Sequence, residues 1–395
     1  MKVCFDLTPL STKSRYRGIG SYVLGMAGAF KKAGALPDGI ELSFLVGYGR
    51  KMHLVPMDSF FGKHEEVWGK PLPYSAYYAY KSMVLPGFFS NEQVDLYHAT
   101  DPKGTPHLRG TKTVVNCYDL IPTILGYPYL PRFWPRKANA VVEKWRYRGR
   151  DHIIAISKCT RRDLQQVAQL QDDRVSVVHL GVDNEKFCPT PEPEEAKRVA
   201  SEIGTDRPYF LCVGGFDPRK QVKELVEAFY ECVTELDEVL VICGRPSPWQ
   251  KRKLQERIAR LGIQKRVIFL DFVPPAILPA LYRQATAHAT MSIYEGFGIT
   301  IVEAFASGCP VVALRASCIP EVAGDAAFLI EPGSDEAMSM ALKKIATDEK
   351  LRIELRARGL DRAVHFSWDR CAAETLKVYR SVLGTTTRKV QKCGG

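Results

Sequence analysis

The chain has no apolar run near the roughly 20 residues that a membrane-crossing helix needs, so no integral span is expected in its 395 residues. Its opening, MKVCFDLTPL, reads as a strand and lacks the shape of a secretory signal, which makes the cytosol the expected compartment. The eleven cysteines form no CxxC pair and no Cys/His spacing of the kind that holds a metal. Cys117, Cys212 and Cys243 lie inside apolar strand-like runs, as reduced and buried thiols do. A disulfide framework and a structural metal site are therefore both set aside. Internal repeats and low-complexity tracts are also missing, which leaves no sign of a solenoid or a disordered chain.

What is present is a globular composition, 46% hydrophobic and 25% charged. The length exceeds what one hydrophobic core usually serves, so two domains are expected. The net charge of +11 is lopsided: residues 1–182 hold 25 Lys and Arg against 15 Asp and Glu, and the remainder holds 30 against 29. A basic first half beside a neutral second half points to an anionic partner, whether nucleic acid, an anionic membrane surface or a phosphate-bearing acceptor. A solvated basic face with no partner is the plain alternative.

Short, β-branched apolar runs alternate with helical patterns. KVCFDL, ELSFLVGYG, DLYHAT, TVVNCYDL and HIIAIS form one series; YFLCVGG, EVLVICG, RVIFLDF, AHATMS and CPVVAL form a second. Helical periodicity lies between them, as over Lys220–Leu236 and Ser247–Gly262. Repeated βα alternation predicts parallel, doubly wound sheets, so two Rossmann-like α/β domains are expected to face a central cleft. Gly181 and the prolines of HLGVDNEKFCPTPEPEEA mark the seam. The expected division is 1–182, then 183–372, then a final helix over 373–387 that returns toward the N-terminal domain. The tail 388–395 is expected to be disordered.

Ligands of such sheets bind where strands end and loops lead into helices. Three of those loops carry chemistry. The first is SIYEGFGITIVEAFASGCPVV, Ser292–Val312, a mostly apolar stretch that nonetheless holds Glu295 and Glu303. Gly296 and Gly298 permit close approach to the backbone, and the amides of Phe297, Gly298 and Ile299 open a helix that Gly308 ends. Such a helix start attracts anions. The second loop is VGGFDPRKQ, with Gly215 and with Arg219 and Lys220 expected to begin the next helix. Cations there oppose the helix dipole unless an anion lies alongside, and a diphosphate meets that need. The third is GIGSYV, where Gly18 and Gly20 allow a phosphate or acceptor near the backbone. A nicotinamide dinucleotide is the other reading of such a pair, but the acidic residue it needs does not follow.

Further strand-end positions are Tyr118 and Asp119 in NCYDLIP, His98 and Asp101 in DLYHATD, Gly244 and Arg245 in VICGRPSP, and Val273 after RVIFLDF. Between Tyr127 and Arg150, YPYLPRFWPRK and WRYRGR interleave aromatics with cations, including Phe133 and Trp134, a composition suited to an anionic membrane surface. The aromatic cluster YSAYYAYKSMVLPGFF either joins that surface or packs in a core.

EGFGITIVEAFASGCPVVA resembles the nucleotide-sugar motif of retaining GT-B glycosyltransferases, the group 1 and family 4 type that includes bacterial mannosyltransferases. VGGFDPRK, GIGSYV, YDLIP, IIAISKCTRRDL, VHLGVD and FSWDRCAAETLKVYRSVL follow in the family's order from near residue 3 to about 384. The resemblance implies a GT-B fold and a metal-independent hexosyl transfer from a nucleotide diphosphate sugar, with GDP-mannose the first choice, and no cofactor. It implies that Glu303 holds the ribose, that Glu295 contacts the sugar, and that Arg219, Lys220 and the amides of residues 297–299 hold the diphosphate. Gly18, Gly20, Gly215, Gly244, Arg245, Val273 and Gly296 complete the donor side. Glu295, Arg219, Lys220 and Asp119 form the expected catalytic set, with His98, Asp101 and Tyr118 on the acceptor or sugar side. Many relatives carry histidine where this chain has Tyr118. The acceptor is then a glycan or lipid-linked glycan, nucleic acid drops out, and the basic half faces a membrane. A GT-B sugar-nucleotide epimerase and a non-catalytic nucleotide-sugar binder are the alternatives; a dinucleotide oxidoreductase leaves the glutamate pair unexplained.

Overall fold

A computed structural model describes residues 1–16, 18–34, 36, 39–48, 51–60, 73–271, 273–274 and 276–384. The segment 388–395, expected to be disordered, lies outside them. The chain forms two compact units, Met1–Gly181 together with the segment from Trp368 onward, and Val182–Ser367.

The first unit is built on β1 (Lys2–Asp6), β2 (Glu41–Tyr48), β3 (Lys51–Pro56), β4 (Leu96–Ala99), β5 (Lys112–Cys117), β6 (His152–Ala155) and β7 (Val175–Val177), in the spatial order β3-β2-β1-β4-β5-β6-β7. The second is built on β8 (Tyr209–Val213), β9 (Val239–Cys243), β10 (Val267–Leu270), β11 (Ala287–Thr290), β12 (Val311–Leu314) and β13 (Phe328–Ile330), in the order β10-β9-β8-β11-β12-β13. Every pairing is parallel except β2 with β3. The inner strands are buried along their length, as in VLVIC of β9 and VVAL of β12, because helices cover both faces of a parallel sheet.

In each sheet the order reverses beside the first strand, between β1 and β4 and between β8 and β11. Crossovers leave in opposite directions from that point, which opens a crevice at the strand ends. Two α/β units were expected, and both are present. Three strands go beyond the expected set: β3, β7 and β13. All three are edge strands. An edge strand needs only one partner and little apolar sequence, so VSV and KMHLVP carry a weak signal.

The helix expected over Lys220–Leu236 is shorter. It covers Val222–Cys232, between 3₁₀ turns at Pro218–Lys220 and Val233–Glu235. The helix expected over Ser247–Gly262 spans Pro248–Leu261, with Ser247 and Gln250 forming a capping box and Gly262 a left-handed end.

The last helix, Trp368–Val382, begins earlier than the expected 373 and belongs to the first unit. Just before it, Ser367 forms a parallel bridge with Val182, whose N–H donates to the Phe366 carbonyl at 2.9 Å. The helix packs on Gly18–Ala33, where Gly25 leaves room for Trp368: a Cβ on Gly25 would lie 2.2 Å from the indole. Tyr379 on the same helix shares a 2.5 Å hydrogen bond with His98 Nδ1.

Replacing glycine by alanine inside a helix normally stabilises it by about 1 kcal/mol. Gly25→Ala should do the reverse, destabilising the protein by roughly 1–3 kcal/mol through the forced parting of two packed helices. Urea unfolding checks the sign; a midpoint at or above that of the parent would contradict this packing.

Candidate active site

The loop after β8 and the loop after β11 flank the reversal point of the second sheet. Asp217 begins the first of them by accepting the Arg219 N–H at 3.2 Å, which closes the tight turn Pro218–Lys220. Gln221 follows in the left-handed region at φ 48°, so the chain breaks before the next helix starts. Arg219 and Lys220 therefore do not open that helix, contrary to expectation. They are turned toward the β11 loop instead.

There they meet Glu295. Arg219 Nη1 lies 2.7 Å from Glu295 Oε2 and donates to the Tyr294 carbonyl at 2.8 Å, while Lys220 Nζ pairs with Glu295 Oε1. The Ile293 N–H donates to the Arg219 carbonyl at 2.9 Å, so backbone and side chains tie the same two loops. The Glu295 N–H donates to Ser317 Oγ at 2.8 Å. Burial alone would raise the Glu295 carboxyl; Lys220 and then Arg219 outweigh it and hold the group below its usual range, so it is ionised at neutral pH. The three side chains are only 12–16% exposed.

Gly298 caps the helix Ile299–Ala306 in the left-handed region at φ 80°, a conformation that favours glycine. The first amides of that helix have no carbonyl one turn back within it, which is the physical basis of an anion site. Phe297 contributes only its backbone, because its ring is buried edge-on against Phe366 at 5.6 Å. Glu303 lies one turn into the helix, accepts from the Tyr282 hydroxyl at 3.2 Å, and is pushed up by burial to about 7.

The remaining positions of the second unit vary. The missing Cβ of Gly215 faces open space. Gly244 is required for packing, since a Cβ there would lie 1.9 Å from the Gly214 carbonyl oxygen. Arg245, the next residue, is exposed. Val273 follows the edge strand β10, two strands away from β8 on the side opposite β11.

In the first unit several expected ligand contacts are spent internally. His98 is wholly buried, with Nε2 bonded to Asn116 Oδ1 at 2.9 Å, and burial lowers its pKa to about 4. It is a neutral packing residue, not an acceptor contact. Asp101 is equally enclosed: it accepts from the Tyr78 hydroxyl at 2.6 Å and the Lys103 N–H at 3.0 Å. The Tyr118 hydroxyl donates to the Thr100 carbonyl at 2.8 Å, and its ring packs against Tyr22. Asp119 accepts from the Ile121 N–H at 3.0 Å. Gly20 is fixed by packing, a Cβ there lying 2.4 Å from the Arg15 carbonyl, whereas Gly18 opens its helix in free space.

Sequence reasoning missed Ser317 and Tyr282, the partners of Glu295 and Glu303. Ser317 lies in the loop just after β12, a position that strand-end logic reaches; Tyr282 is on a helix and carried no such signal. Also missed is the ion pair at the reversal point of the first sheet, where Lys81 Nζ lies 2.7 Å from Asp6 Oδ2 with both side chains wholly buried. Asp6 also accepts from the Tyr97 and Thr8 hydroxyls.

Two doubly wound units, the second with paired cations, a carboxylate and a glycine-opened helix at its reversal point, define the GT-B type of α/β protein. Residues 193–362 match the family described as Glycosyl transferases group 1, and residues 16–186 match Glycosyltransferase Family 4. The chain belongs to these glycosyltransferases. It is 28% identical to O-antigen chain mannosyltransferase B of Escherichia coli over 63% of this chain and 66% of that protein. It is 30% identical to D-inositol 3-phosphate glycosyltransferase of Corynebacterium glutamicum (strain R) over 59% of this chain and 58% of the relative. The matched stretches thus fall short of those relatives' full lengths. Among solved structures, sucrose-phosphate synthase from Thermosynechococcus elongatus shares the fold with a TM-score of 0.76 at 16% identity, covering 98% of this chain and 100% of that one.

The raised Glu303 pKa makes a stability prediction. Below the ordinary glutamate range the carboxyl is neutral in both folded and unfolded chains. As pH rises toward 7 only the unfolded chain ionises, so folding loses stability, by roughly 3 kcal/mol in all at about 1.4 kcal/mol per pKa unit. Glu303→Gln should flatten that decline between pH 4.5 and 7. Thermal unfolding across the range checks it, and parallel curves for the two proteins would refute the shift.

Proposed function

We propose that this protein is a retaining, metal-independent hexosyltransferase. It moves mannose, from GDP-mannose as the first choice, onto a glycan or lipid-linked glycan in cell-surface polysaccharide assembly. The observation that carries the reading is the convergence of Arg219 and Lys220 on Glu295 beside the helix that begins at Ile299. An ammonium has three N–H donors, so the Glu295 carboxylate does not exhaust Lys220, and the Arg219 charge lies beside it. A diphosphate laid across the helix start meets those donors and the helix dipole together. The mannosyl choice leans on the E. coli mannosyltransferase among the relatives.

On this reading Glu303 accepts from the ribose hydroxyls and Glu295 from the donor sugar. The amides of Phe297, Gly298 and Ile299 join the two cations on the diphosphate. The acceptor oxygen bonds to the anomeric carbon on the face that the diphosphate leaves, the bond from that carbon to the diphosphate oxygen breaks, and the acceptor proton departs with the leaving group. Arg219 and Lys220 stabilise the charge that develops there. Lipid-linked acceptors place the enzyme at the inner face of the membrane, with its basic N-terminal half toward anionic lipid.

A panel of nucleotide sugars tested by thermal shift identifies the donor, because a tight ligand raises apparent stability. Lys220→Ala should weaken that shift and slow transfer on the order of 10²–10³-fold. Its fold should survive, since Arg219 remains on Glu295. Near-normal turnover would overturn the assignment, and donor breakdown without acceptor would favour an epimerase.

Ribose hydroxyls donate to a carboxylate, so donor binding should ionise Glu303. Affinity should then rise as pH increases through about 7, with proton release on binding. Calorimetry in buffers of different ionisation enthalpy measures that proton, and a pH-independent affinity would remove Glu303 from the ribose.

A further inference from the structure

The helix Arg136–Arg148 is turned inside out for a water-facing helix. Its inward residues include Glu143 and Tyr147, both buried, with Glu143 paired to Arg146. Its outward face runs Lys137, Val141, Trp145, Arg148, residues spaced by three or four positions and therefore stacked on one stripe. Val141 is 65% exposed and Trp145 71%. The segment leading into the helix adds Phe133 at 85%, with Trp134 and Tyr127 also exposed. Single exposed apolar residues are ordinary; Val141 and Trp145 stacked on one helix face, with Tyr127, Phe133 and Trp134 exposed just before it, form a larger apolar patch of the kind that docks a partner.

Charge selects the occupant. Residues 127–150 contain seven Lys and Arg and a single acid, Glu143, which is already paired inside. A protein partner for such a face would have to supply a strongly acidic surface, whereas an anionic bilayer supplies negative headgroups and an apolar layer at once. Thirteen residues make a helix about 20 Å long, and no described helix is long and apolar enough to cross a membrane. A helix of that length and polarity suits the surface of a bilayer, not its interior. The other aromatic cluster does not join it. In the helix Tyr74–Asn91, Tyr77, Leu85 and Phe89 are buried, and among its described large apolar side chains only Met83 is strongly exposed.

We infer that the face formed by Phe133, Trp134, Val141 and Trp145, rimmed by Lys137 and Arg148, is an interfacial anchor. Its aromatic side chains enter the headgroup layer of an anionic membrane. The inference deepens the peripheral-membrane part of the proposed function and adds an apolar component to an otherwise electrostatic attraction. Attraction between charges weakens with salt, while apolar insertion does not. The two components are therefore separable.

The test uses the full chain with vesicles of phosphatidylcholine, alone or mixed with phosphatidylglycerol, at low and high salt. Binding should require the anionic lipid, weaken with salt without vanishing, and shift tryptophan emission to shorter wavelength. Val141→Glu with Trp145→Glu should reduce partitioning roughly ten- to hundredfold at both salt concentrations. Lys137→Gln with Arg148→Gln should remove mainly the salt-sensitive part. Nucleotide-sugar thermal shifts should be unchanged in both variants, which separates failure here from failure of the donor assignment and shows that the variants fold. Vesicle binding untouched by the glutamate pair would overturn the inference. So would a parent protein that ignores anionic vesicles but self-associates through this face, with the glutamate pair restoring the monomer.

Discussion

Glu295 is the constraint on which the second unit's candidate site depends. Its two oxygens take Arg219 and Lys220 from one loop, while its own N–H is fixed on Ser317 from another. Three strand-end loops, after β8, β11 and β12, therefore meet at one carboxylate. Taking that charge out of water is costly, and the cations must more than repay it for the group to remain ionised. Their success explains why two basic residues occupy a tight turn where a strand ends. It also couples the loops: a displaced Glu295 would take from Lys220 its carboxylate partner and from Arg219 its nearer one, leaving Asp217 at 3.6 Å.

The first unit solves the same topological problem differently. Its reversal point, between β1 and β4, is closed by Lys81 and Asp6, wholly buried and saturated by the Tyr97 and Thr8 hydroxyls. Such a pair stiffens the core, and breaking it costs about 3–5 kcal/mol. In the second unit the corresponding ions keep 12–16% of their side-chain surface exposed and lie beside a helix start. A closed pair can only hold the fold. A partly accessible one can admit an anion beside it, because the Lys220 ammonium has N–H donors beyond the one that Glu295 takes and the carboxylate keeps its partners. This difference is what the proposed donor site in the second unit leans on, more than on any single residue.

Inner strands and strand-end loops were legible in the sequence because their signals are local. β-branched runs declare buried parallel strands, and EGFG followed by an apolar helix declares a helix start. The edge strands β3, β7 and β13 were not legible, since one-sided pairing asks little of a sequence. Nor was the break at Gln221, where a left-handed residue interrupts what reads as one helix from Lys220. His98 and Asp101 misled for a related reason. A polar residue at a strand end looks available, but their partners Tyr379 and Tyr78 lie 281 and 23 residues away. The cations of VGGFDPRKQ were expected to open a helix and to face a diphosphate; that they lie in a turn before it and pair with Glu295, 75 residues downstream of Lys220, required the fold.

The charge asymmetry between the halves is one of acid count, 15 Asp and Glu against 25 Lys and Arg in residues 1–182 and 29 against 30 in the remainder. Arginines in the 127–150 region are oriented by carbonyl oxygens more than by acids. Arg136 donates to Thr123, Arg148 to Ala168, and Arg150 to Thr105 and Pro106. A carbonyl satisfies the geometry of a guanidinium without cancelling its charge. The second unit uses both kinds of partner: Arg283 meets Glu195, Lys251 meets Asp271 and Arg257 meets Glu227, while Arg266, Arg352 and Arg362 donate to carbonyls. Positive charge kept uncancelled in this way, around a helix whose apolar stripe faces outward, is a property of the surface rather than of folding. On the proposed reading it serves what the first unit meets, just as the Glu295 pairing serves what the second unit binds.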